Sequence, residues 1–319
     1  MFVVARGGSL SGRRWGGGGG GVGVGVGWGW GWGGTVSLQQ VCKMSIRSAV
    51  TVSLVPEATG GPFVFWQDLP GAARQARQLG FDAIEIFPPG PEALAHDTLR
   101  SLLDHHGLRL AAMGTGAGWV RHQLQLCHPD AARRQQARDF VRRIIDLAGG
   151  LGAPAIIGSM QGRWGGELSR ADALQWLAEG LEELGRHAAQ FSVPLLFEPL
   201  NRYETNLVNT VSDGLALVQR LETGNVRLLC DLFHMNIEEI DIAEALRLAG
   251  NWVGHVHFVD SNRRPAGCGH LDYRPIVRAL RDIGYSGYAS AEALPWPDSI
   301  GAAAQTMAAF RRWIRPQSE

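Results

Sequence analysis

The chain has 319 residues, in which 30 Lys and Arg balance 30 Asp and Glu, and 45% are hydrophobic. That balance argues against a nucleic-acid binder working through a strong basic field and against an acidic disordered chain, and the apolar fraction is ample for a sizeable core. Cys42, Cys127, Cys230 and Cys268 form no C-x-x-C pair and no disulfide framework, so a reduced, cytoplasmic protein is expected.

In chain order, the first segment reads GGGGGGVGVGVGWGWGWGG over residues 16–34. Glycine there has much backbone entropy to lose and no side chain to bury. The alternating Gly breaks any signal-peptide apolar region, and no run of about 18 apolar residues suggests a membrane span. Residues 1–43 are expected to be a disordered leader, with an aromatic–glycine interaction tail as the alternative. The sequence from Met44, MSIRSAVTVSLV, looks like a native start, and the fold is expected over residues 44–319.

From there, strand candidates fall at 49–55, 81–87, 108–114, 153–159, 193–199, 226–232, 253–259 and 288–294. Between them lie segments such as 69–80, 129–152 and 170–190, whose apolar residues recur at three and four as in amphipathic helices. Gly80, Gly107, Gly152 and Gly284 punctuate the returns to strand, as helix C-terminal glycines do. Eight such units predict a single-domain (β/α)8 TIM barrel, a fold of typically about 250 residues. A doubly wound sheet would favour G-x-G-x-x-G after its first strand, and PEATGGPFVF lacks that spacing.

Active sites of such barrels form at the C-terminal strand ends. The last four candidate strands end in Glu198, Asp231, His257 and Glu292. Singly, each has a structural explanation: a cap, a hydrogen-bonded core histidine, an Arg partner. Jointly, three carboxylates and one imidazole at successive strand ends can converge on a single metal ion. Alternation puts Leu196, Leu229, His255 and Ser290 on the barrel-facing side with them. The oxygen-rich set favours Mn²⁺, with Mg²⁺ or Co²⁺ as alternatives.

The motifs EPLNRYETNLVNT (198–210), CDLFHMNIEE (230–239), HVHFVDSNRRPAGCGHLDY (255–273) and GYASAEAL (287–294) together resemble the sugar isomerase/epimerase superfamily, above all its D-tagatose/D-psicose 3-epimerase group. The N-terminal half shares only the βα rhythm and GFDAIEIF. The resemblance implies one divalent metal held by Glu198, Asp231, His257 and Glu292, with Glu198 and Glu292 doubling as acid and base. It implies substrate contacts from Glu204, His234 and Arg263. A helix-start carboxylate, a cap and a solvated loop charge are their structural alternatives. The expected partner is a small-molecule sugar, with no nucleic acid and no membrane; homo-oligomer formation is left open.

Proton abstraction beside a carbonyl needs a carboxylate base, an acid to return the proton and stabilisation of the enediolate charge. Carboxylates on opposite faces of the carbon invert it; one working on a single face gives a 1,2-isomerase. A keto-sugar or keto-inositol dehydratase would begin with the same step. A non-catalytic sugar-binding barrel would be expected to lack one of the two glutamates. An abasic-site endonuclease would carry extra histidines early in the barrel, where this chain has IFPPG and AMGTG. Of the remaining candidates, His255 reads as buried support and His270 as support for its loop. Glu85 reads as a barrel-mouth hydrogen-bonding group or a strand brace, and Trp119 and Gln161 as substrate walls.

Overall fold

Strand β1 (Arg47–Ser53) is buried along nearly its whole length and opens a parallel ring in a computed structural model that describes residues 45–315. The expected leader lies outside the described residues. A short strand, β2 (Phe65–Trp66), pairs with the end of β1. Then β3 (Ala83–Phe87), β4 (Arg109–Gly114), β5 (Ala155–Ile157), β6 (Leu195–Phe197), β7 (Val226–Asp231), β8 (Val253–His257) and β9 (Tyr288–Ala291) pair in chain order, and β9 returns to β1. With β2 set aside as an addition to β1, eight strands close the expected TIM barrel.

The strands are shorter than their apolar runs. Gly158 and Glu198 already lie beyond β5 and β6, because the chain leaves the ladder there to build loops over the mouth. β2 was not foreseen: it falls within the turn-rich stretch after β1, where Phe65 is nevertheless buried.

Helix α1 (Leu69–Leu79) follows β2, and α2 (His96–His106) follows β3. Two helices, α3 (Ala117–His122) and α4 (Ala131–Gly150), follow β4. Next come α5 (Arg170–Ala189) after β5 and α6 (Val211–Val218) after β6. Helices α7 (Leu232–Glu238) and α8 (Ile242–Ala249) follow β7, α9 (Tyr273–Asp282) follows β8 and α10 (Ser299–Trp313) follows β9. The three- and four-residue spacing in α1 buries Leu69, Ala72, Ala73 and Ala76 against the barrel. The Asp68 side chain caps its first turn by accepting from Gly71 N. Gly80 ends it in the left-handed region at φ 89°, where a Cβ would be strained.

The main apolar cluster lies between strands and helices and includes Leu195, Phe197, Leu228, Cys230 and Val256. Their neighbours Leu196 and Leu229 belong instead to a separate cluster with Phe63, Phe87, Ala112 and Ile156, inside the ring. The period-two alternation thus holds, and it sets which strand-end side chains face the mouth. No helix among the described residues is long and apolar enough to cross a membrane.

Candidate active site

Four strand ends deliver the metal-type side chains to one point. Glu198 follows β6, Asp231 ends β7, His257 ends β8 and Glu292 follows β9. All four are buried, and one ligand atom from each lies within 4.8 Å of every other. His257 Nδ1 is 3.1 Å from Asp231 Oδ2, 3.4 Å from Glu292 Oε2 and 3.6 Å from Glu198 Oε1. Asp231 is fixed by the helix that follows it: its Oδ1 accepts from Phe233 N and His234 N at the start of α7, which leaves Oδ2 for the cluster.

Burial pushes the Glu198 carboxyl well above the usual range; His257 opposes this, and the charges of Glu292 and Asp231 add to it. Burial acts the same way on Asp231, but the Arg263 charge, helped by the hydrogen bond from His257, outweighs it and holds that carboxyl well below the ordinary value. Glu198 Oε1 is buried with no hydrogen-bond partner among the described residues. A buried carboxylate oxygen without a donor, beside two other carboxylates, stays ionised only with a cation at hand. The set of three carboxylates and one imidazole therefore fits a divalent ion.

Above the cluster opens a cavity of about 480 Å³. Glu198 and Glu292 line it, as do Glu204, His234 and Arg263, so all three residues expected to contact substrate face it. Asp231 and His257 do not line it. Arg263 is no solvated loop charge. Its guanidinium is buried, pairs with Glu292, lies 3.4 Å from Asp231 Oδ2 and reaches His234 Nε2 at 3.1 Å. His234 is a buried residue of α7, beyond the Asp231 cap. Burial, reinforced by the Arg263 charge against Asp231, brings its ring down to about 3, so it is neutral near pH 7. Glu204 stands half exposed at the rim, with Asn201 Nδ2 3.1 Å from its Oε1.

The lower-weight candidates divide. Trp119 lines the cavity as expected. Gln161 is not a substrate wall: it is fully buried, donates to the Glu198 carbonyl at 3.0 Å and accepts from Val208 N at 3.2 Å. Glu85 is wholly buried, 2.7 Å from His255 Nε2 and 3.0 Å from His257 Nε2. His270 braces its loop through Ser261 Oγ.

Two residues went unnoticed in the sequence. Asn201 Nδ2 lies 2.7 Å from His234 Nδ1. Asp260 accepts from Ser261 N, Gly267 N, Leu271 N and the Tyr273 hydroxyl. A carboxylate opening a loop with two glycines, as in DSNRRPAGCG, was the available signal for the second.

Residues 73–313 match the family described as xylose isomerase-like TIM barrel. A D-psicose 3-epimerase of Agrobacterium fabrum (strain C58) is 33% identical over 217 residues, covering 66% of this chain and 74% of that protein. A 3-dehydro-D-guloside 4-epimerase of Escherichia coli (strain K12) is 27% identical, over 67% of this chain and 83% of that protein. The crystal structure of a D-psicose 3-epimerase determined in the presence of D-fructose superposes with a TM-score of 0.70, covering 85% of this chain and 99% of that one. At 24% identity it speaks for the fold alone.

Proposed function

The chain belongs to the xylose isomerase-like TIM barrel family, and from that premise we propose that it is a divalent-metal-dependent sugar epimerase that inverts C3 of a ketose. The observation that carries this reading is the division within the cluster. Of the four metal-type residues, Glu198 and Glu292 are the two that also line the cavity, and they come from strands three steps apart around the ring. Two carboxylates reaching one carbon from different sides are what inversion requires.

Glu198, Asp231, His257 and Glu292 would hold the ion, Mn²⁺ in our reading, which supplies Lewis acidity against the charge developing on the ketose oxygens. One glutamate takes the C3 proton; the C–H electron pair moves into the C2–C3 bond and the carbonyl pair onto the C2 oxygen. The other glutamate returns a proton to the opposite face of C3. Arg263 and the neutral His234 hydrogen-bond the oxygens next to the reacting carbon, and Glu204 meets a hydroxyl at the rim. The far wall, with Val55, Phe63, Phe87, Trp119 and Ile156, is apolar. Arg163 also lines the cavity, but its Nη2 is taken by the Tyr203 and Glu204 carbonyls. The buried free thiols Cys127 and Cys230 agree with a reducing, cytoplasmic setting.

The likeness to the 4-epimerase favours one second reading, in which the same pair inverts a carbon beside a carbonyl elsewhere on the sugar. Incubation of Mn²⁺-loaded protein with D-psicose and with a 3-keto glycoside in D₂O, read by NMR, separates the two. Deuterium at C3 with appearance of the C3 epimer is expected. Label confined to C1, or loss of water from the sugar, would overturn epimerisation.

A further inference from the structure

Glu85 lies on β3, three steps around the ring from β8, and its carboxylate is shared by two histidines. One oxygen faces His257 Nε2 and the other His255 Nε2. The two imidazole planes meet at 88°, so each ring addresses its own oxygen and the carboxylate is held at both ends. An ionised carboxylate only accepts; both nitrogens facing it must carry protons. A neutral imidazole has a single N–H, so a proton on Nε2 leaves the lone pair of His257 on Nδ1, the nitrogen that faces Asp231, Glu292 and Glu198.

We propose that Glu85 is a positioning residue: it fixes His257 as the Nε2–H tautomer and thereby makes Nδ1 the ligand atom. This rests on the reading of His257 as a ligand to a divalent ion. Glu85, His255 and His257 also sit close enough together to suggest a second cation group. The geometry speaks against that use, because a neutral His257 has one lone pair and cannot serve both groups.

Nitrogen-15 NMR of Mg²⁺-loaded protein should find the His257 proton on Nε2. Free-ion EPR titration should find Mn²⁺ bound about 10- to 100-fold more weakly by Glu85→Gln, the usual effect of losing a carboxylate behind a ligating histidine, with part of the loss restored in Glu85→Asp. A carboxylate that merely supports the strand would lower the melting temperature and leave the tautomer and Mn²⁺ affinity alone. Unchanged affinity in a folded Glu85→Gln protein, or a His257 proton on Nδ1, overturns the proposal. If Glu85→Gln does not fold, the wild-type spectrum decides. Wild-type Mn²⁺ affinity in His257→Asn would instead overturn the ligand reading, and the proposal with it.

Discussion

Glu198 and Glu292 each belong to the cluster and face the cavity, so replacing either with Gln keeps its shape and removes its proton chemistry. Each variant should lose about a hundred- to ten-thousand-fold in turnover, read as deuterium exchange at C3; exchange retained in both would sink their assignment. Arg263→Lys is expected to be far from conservative, because one guanidinium meets Glu292, Asp231 and His234 at once. A loss of about 10- to 100-fold in kcat/KM is expected from the charge-assisted hydrogen bonds forfeited, and a steady-state comparison of the two proteins measures it. The quartet was legible in the sequence because ligand-type residues interrupt apolar strands at one and the same end. Asn201 and Gln161 were not, since what they do depends on partners 33 and 37 residues away. Glu85 was seen as a residue, but its partners lie across a ring that only closure creates.

Among the elements, the β8–α9 loop does for Arg263 what a strand does for a ligand. Arg263 takes φ 60°, a left-handed conformation that few side chains adopt unaided, and its carbonyl is pinned by Leu294 N. Asp260 knots the rest of the loop. Burial raises its carboxyl, but the N–H donors of Ser261, Leu271, Gly267 and Gly269 more than reverse this and hold it below the usual carboxylate range. The unfolded chain therefore takes up this proton at higher pH than the folded one. The stability that Asp260 contributes is complete above the unfolded value, about 3.9, and is lost as pH falls through the folded one. Thermal melts between pH 3 and 7 should show Asp260→Asn less stable than wild type near neutrality, with the gap closing toward acid. Across the mouth, a Cβ on Gly158 would stand 2.6 Å from Glu198 Oε2. Gly158→Ala should therefore bind Mn²⁺ more weakly, which the same EPR titration tests. Helices and strands were legible as periods; β2 and this knot were not, because both arise from backbone pairing that side-chain pattern does not record.

For the whole molecule, a cluster of buried carboxylates makes the folded state depend on its ion. At a hundred times its Kd, a bound ion adds about 2.7 kcal/mol, or roughly 5 °C in Tm for a domain of this size. Differential scanning fluorimetry with Mn²⁺ against EDTA should show that rise, and Asp231→Asn should abolish it. We also propose that the catalytic domain begins at Met44, so protein beginning there should keep wild-type Mn²⁺ affinity and turnover. The cavity joins two halves of one ring. Its acid floor comes from β6 to β9, and its apolar wall comes largely from β1 to β5 and the loops after them. The apolar wall and the acidic groups proposed to act on the sugar thus come from different stretches of the chain. A hybrid that joined the first half of a relative to the second half of this protein should keep the inversion and change the sugar. New specificities can then arise by recombination at the middle of the gene, with the chemistry carried along intact.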